Sequence, residues 1–97
     1  MGAQHGDIDA FMAEVERISV ADPRLNTLSA AILAGLDFEI ARDSRSFAKA
    51  LGIEHALVLR EVQALLDLER LTVTRRDERT QRCSYAAVGA SLVEPLS

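Results

Sequence analysis

A single cysteine, Cys83, stands in this sequence, which excludes an internal disulfide and any multi-cysteine zinc site. No apolar run approaches the roughly 20 residues that span a bilayer. The opening MGAQHGDIDAF lacks a basic region followed by an apolar one, so it does not read as a signal peptide, and a cytoplasmic chain is expected. A Gly-rich phosphate loop, an HExxH and a G-x-S-x-G are all missing. The acidic residues fall mostly on the solvent faces of expected helices, so neither enzymatic activity nor a cofactor is expected. His5 lies in an expected frayed end, and His55 has no second ligand at metal spacing. Aromatic residues and glycines are sparse, so the core must be built from Leu, Val, Ile and Ala, a helical palette.

What is present points to a globular domain. Hydrophobic content of 48% with only two prolines is not that of a disordered chain. Its 97 residues make one domain, able to bury roughly two-thirds of its unfolded surface. The net charge of −4 does not favour a nucleic-acid binder, but its distribution matters more. Residues 1–43 carry eight acids and three arginines, whereas residues 44–97 carry eight bases and seven acids. Arg75, Arg76, Arg79 and Arg82 cluster against Asp77 and Glu78.

Along the chain, Ile8, Phe11, Met12, Val15 and Ile18 recur at three- and four-residue steps, which predicts an amphipathic helix over 7–20. Asp7 or Asp9 is its expected cap, and Asp22-Pro23 stops it. A second helix, capped by Asn26 or Thr27, is expected to about Ile40, with Leu28, Ala31, Ile32 and Leu36 as its stripe and Gly35 in its interior. Phe38 and Ile40 then lead to Asp43 through a short extended segment, expected to pair with a later strand.

The stretch 43–88 organises the rest. Asp43 or Ser44 can cap a short helix with Phe47, Ala48 and Leu51 on one face, and Gly52 ends it in the left-handed conformation. A longer helix over 53–70 follows, with Val58, Val62, Leu65 and Leu66 at core spacing, and Ile53 is expected to pack back on the short helix it follows. Residues 71–76 and 81–88 alternate with period two around the turn 77–80, which predicts a hairpin. Helix-turn-helix followed directly by a hairpin is a winged helix. Gly89 breaks the last strand, and 90–96 is expected to form a short terminal helix presenting Leu92, Val93 and Leu96. The expected fold is mostly α with a small β-hairpin.

The residues FAKALGI at 47–53, D-E-R at 77–79 and VGASLVEPL at 88–96 resemble the MarR-like winged-helix transcription regulators, over about residues 26–96. The resemblance implies a dimer that binds duplex DNA, with Arg79 at the position of the family's wing arginine. It also implies that the terminal helices build the dimer. An extra amphipathic helix must bury its stripe somewhere, so Phe11, Met12, Val15, Leu92 and Leu96 are expected near a homodimer interface. The alternative is that helix 7–20 folds back onto its own core.

On this reading the second helix of the pair enters the major groove with its N-terminal half. His55, Arg60 and Gln63 are the expected readers there, beside Glu54, Ala56, Leu57 and Leu59; Leu59 can touch a thymine methyl. Arg75, Arg76 and Arg79 are expected on backbone or minor groove, with Asp77 holding the Arg79 guanidinium. Arg45 and Ser46 are expected to add phosphate contacts at a helix N-terminus. The leucines on the second helix and the negative net charge support an alternative, a winged-helix protein–protein interaction module that does not bind DNA. Cys83 is expected to be a small buried hydrophobe; oxidant sensing is the alternative the resemblance implies.

Overall fold

A computed structural model of the chain describes residues 2–88, with side chains from Ile8 onward. The expected terminal helix, with Leu92 and Leu96, lies outside the described residues, as does the His5 side chain. Among the described residues, four helices precede a two-stranded antiparallel hairpin.

The most apolar segment becomes the centre. Helix α2 (Thr27–Asp37) buries every residue from Ser29 to Gly35, as a helix that is apolar nearly all round must. Asn26 is its cap: Asn26 Oδ1 accepts from the Ser29 N–H at 2.8 Å, and the Asn26 N–H donates to Ser29 Oγ at 3.0 Å. The helix ends at Asp37, short of the expected Ile40. Its last turn closes by the Glu39 N–H to Leu36 and the Ile40 N–H to Gly35, with Glu39 at φ 55°.

Helix α1 (Gly2–Ala21) lies against α2 on one side. It begins at Gly2, inside the expected frayed end and ahead of the expected start at residue 7, so neither Asp7 nor Asp9 is its cap. Val15 and Ile18 are buried in the chain's own core, and the Phe11 ring meets Phe38 edge-on with centroids 6.0 Å apart. Val15 and Phe11 are thus covered within the chain itself, as the fold-back alternative describes, rather than left open for a second copy. Met12 and Ile8 remain uncovered. The far end of α1 is pinned by Asp22, whose carboxylate accepts from Arg24 and, at 2.7 Å, from Arg70 just beyond the fourth helix. These arginines, Arg24 foremost, hold the Asp22 carboxyl well below the usual carboxylate range.

Helices α3 (Ser44–Leu51) and α4 (His55–Asp67) are joined through Gly52 at φ 67°. Asp43 caps α3, accepting from the Ser46 N–H at 2.8 Å. Phe47 is fully buried, while Leu51, expected on the same face, is exposed at the helix end. Helix α4 is shorter than expected at both ends. Ile53 packs back on α3 as expected, donating its N–H to the Ala48 carbonyl, and residues 68–70 form a turn with Glu69 at φ 61°.

Strands β1 (Leu71–Asp77) and β2 (Arg82–Ala87) form the hairpin, and α4 packs on β1. The chain entering α3 lies along β2 as expected: Asp43 bridges Ser84, and the Tyr85 N–H donates to Arg42. Phe47, Ile32, Leu65 and Val58 form the fully buried centre, closed by Cys83 and Tyr85 from β2. The buried Tyr85 hydroxyl has no hydrogen-bond partner among the described residues.

Candidate nucleic-acid interface

The edge formed by α3, its turn, the start of α4 and the hairpin holds most of the chain's basic side chains. Its layout depends on one irregularity. Val73 faces Tyr85 across the ladder, yet Arg75, not Thr74, faces Ser84. Thr74 is an extra residue, a β-bulge. Plain alternation from Leu71 and Val73 would turn Arg75 inward and Arg76 outward. The bulge reverses them: Arg75 shares the outer face with Ser84, while Arg76 pairs with buried Cys83 on the face toward α4.

Three concavities follow. An open cleft of about 550 Å³ lies at the helix turn, lined by Arg45, Lys49, Arg82, His55, Gly52 and Ile53 among others. A groove of about 150 Å³ runs between α4 and the hairpin, with Leu59, Gln63, Leu66 and Arg76 on its walls. A third hollow, on the outer face of the hairpin, includes Arg75, Thr80, Arg82 and Ser84. Cations thus border both sides of the exposed α4 surface.

Some expected contact residues are free for a ligand and others are not. The Arg60, Arg75, Arg76 and Arg79 side chains have no ion-pair or hydrogen-bond partner among the described residues, nor does Lys49. Asp77 does not hold the Arg79 guanidinium; its Oδ1 accepts from the Arg79 backbone N–H at 3.0 Å, which shapes the turn and leaves the side chain loose. Arg45 donates its Nε to the Thr80 carbonyl at 2.9 Å, tying α3 to the hairpin tip, and its side chain also lines the cleft. Ser46 does not offer the expected phosphate contact. Its N–H and its hydroxyl both donate to Asp43, and that carboxylate already occupies the α3 N-terminus. Gln63 donates to Asp67 one turn along α4, at 3.1 Å.

His55 turns inward, not toward a groove. Its Nε2 lies 2.7 Å from Ser44 Oγ, and that oxygen accepts from the buried Cys83 N–H at 2.9 Å. All three groups are satisfied when the Ser44 hydroxyl donates to a neutral His55 whose own proton sits on Nδ1. Burial, then the nearby Arg45, hold the His55 pKa below its ordinary value, against the opposing pull of Asp43. Ser44 is fully buried and joins α3, α4 and β2 at one point. Cys83 is buried, as expected.

Two residues of the cleft were not among those expected. Lys49 had a usable signal, since it lies four residues after Arg45 and shares its face. Arg82 had none. Only the approach of Asp43 to β2 brings it beside α3, where its Nε lies 3.6 Å from Asp43.

Glu54, Glu61 and Asp67 remain on α4, so the surface is mixed rather than uniformly positive. No described helix is long and apolar enough to cross a membrane. Compared with known proteins, the chain matches no family model, no curated protein and no solved structure.

Proposed function

We propose that this chain is a small cytoplasmic transcription regulator of the winged helix-turn-helix kind, MarR-like in its layout, that binds duplex DNA and has no enzymatic activity. The observation that carries the reading is the set of cations Lys49, Arg60, Arg75, Arg76 and Arg79, unpaired among the described residues, along the edge formed by the helix turn, α4 and the hairpin, while the acidic Asp22 and Asp43 are engaged in caps and ion pairs. Phosphates exchange counterions for such side chains, and that exchange supplies most non-specific affinity. Arg79 at the hairpin tip, with Arg75 and Arg76 on its two faces, contacts backbone or minor groove. Arg45, Lys49 and Arg82 take a phosphate in the turn cleft. Arg60 is left as the hydrogen-bonding reader of the major groove.

Gel shifts against mixed genomic fragments test this. Wild type is expected to bind at low salt, and Arg76→Ala with Arg79→Ala to bind more weakly, with the salt slope reduced by about 0.9 for each phosphate no longer neutralised. Negligible binding by both proteins sinks the proposal.

A homodimer belongs to the same reading, now resting on Ile8 and Met12, which lie one turn apart on the uncovered shoulder of α1 and are 60% and 52% exposed. Sedimentation is expected to give a dimer that Met12→Glu dissociates; a wild-type monomer at high concentration removes this part. The second reading, an interaction module without DNA binding, is favoured by Leu57 at 43% exposure where a hydrogen-bonding reader is expected. A stable dimer with no affinity for DNA at low salt selects it.

A further inference from the structure

The N-terminal half of α4 has lost most of its hydrogen-bonding reach, and what remains exposed there is apolar. His55 is engaged with Ser44, and Gln63 with Asp67. Leu59 is partly buried against the core, so it is not the exposed leucine. Ala56 and Leu57 are exposed at the second and third positions of the helix, and Arg60 follows Leu57 by three residues on the same side. Cations flank this apolar step: Arg60 further along α4, and Arg45, Lys49 and Arg82 in the cleft that begins at Ile53 and His55. An apolar side chain with Arg60 on one side, the cleft cations on the other and Glu54 and Glu61 one turn away suits a partner that is anionic at its margins but uncharged and apolar at its centre. In the major groove the phosphates are the margins, and the apolar group presented between them is the C5-methyl of thymine.

We infer that Leu57 is a specificity-determining residue that reads thymine through its methyl group, so that α4 selects thymine-bearing steps by apolar contact while the cations supply the affinity. This rests on the DNA-binding reading above.

The test uses the full chain and mixed-sequence duplexes of one length, made once with thymine and once with deoxyuridine, which keeps every hydrogen-bonding group and removes only the methyl. Fluorescence anisotropy at fixed low salt is expected to show tighter binding to the thymine duplexes, by about four-fold for each methyl touched, the worth of one buried methyl group. Leu57→Ala removes little buried surface, so it is expected to fold as wild type, bind both duplexes, and lose the preference. Arg79→Ala is expected to weaken both and keep it. Equal wild-type affinity for the two duplexes overturns the inference while leaving DNA binding intact. A preference that survives in Leu57→Ala overturns the assignment to this residue. Absence of wild-type binding to either duplex overturns the DNA-binding reading itself.

Discussion

Ser44 is the point at which the two turn-linked helices and the hairpin are held in register, and its removal has a calculable cost. Ser44→Ala deletes an oxygen that accepts from the Cys83 N–H at 2.9 Å and lies 2.7 Å from His55 Nε2. The Asp43 cap is untouched, since it acts through its own carboxylate. Each neutral hydrogen bond removed costs about 1 kcal/mol. The Cys83 N–H, on a residue only 2% exposed, has no route to water and adds a desolvation penalty of about 1–2 kcal/mol. Half-buried His55 recovers part of its loss by turning to solvent, and alanine returns about half a kcal/mol of helix propensity.

The net is a loss of about 2–3 kcal/mol, a large part of the 5–15 kcal/mol of stability ordinary for a domain. In a chain of this size that lowers the melting temperature by on the order of 10–20 °C. Urea unfolding followed by far-UV circular dichroism measures it. A double-mutant cycle of Ser44→Ala with His55→Gln is expected to show coupling of about 1 kcal/mol, because the two side chains share one bond. A loss below about half a kcal/mol in Ser44→Ala, with no coupling, refutes the reasoning.

Three further outcomes are expected. Gly35→Ala places a Cβ 3.2 Å from Phe47 Cε1, and Phe47 is fully buried with nowhere to yield; the overpacking cost of about 1–3 kcal/mol exceeds the roughly 1 kcal/mol of helix propensity gained, so urea unfolding should show a net loss, and a gain near 1 kcal/mol means the ring can move. Tyr85→Phe removes a buried hydroxyl that has no partner among the described residues, so it should be neutral or stabilising by about 1 kcal/mol, and a clear loss by the same measurement means the hydroxyl is bonded. Acidification should act in two stages, read as unfolding free energy against pH. His55 has a depressed folded pKa, so between its ordinary value of 6.5 and that lower value the unfolded chain binds more protons and stability falls as pH falls. Asp22 is depressed too: its contribution is present above 3.8 and lost below, after the His55 stage has passed. His55→Gln should abolish the first stage alone.

How far the sequence reveals this arrangement follows the distance over which each contact acts. The α3–Gly52–α4 unit is legible because its determinants are local: Asp43 reaches Ser46, Gly52 supplies its own left-handed turn, and Val58, Val62 and Leu65 mark a face by spacing alone. The approach of residues 42–43 to β2 also follows, as the extended step between two helices beside an open strand edge. An amphipathic stripe, by contrast, says that a face must be covered and not by what. That is why Val15 fits a dimer and a fold-back equally well until α2 is in place, and why only the shoulder that α2 leaves bare still speaks for a second copy. The bulge at Thr74 is silent, because threonine fits the regular ladder as readily as the extra position, yet that residue decides which arginine looks at α4. His55 looks like a surface reader until Ser44, eleven residues earlier, is found within bonding distance. The interface is therefore legible as composition, a helix pair and a basic hairpin, and illegible as orientation. Orientation decides which groups stay free for the proposed base contacts: of the expected His55, Arg60 and Gln63 it leaves only Arg60 unengaged among the described residues, and it exposes Leu57.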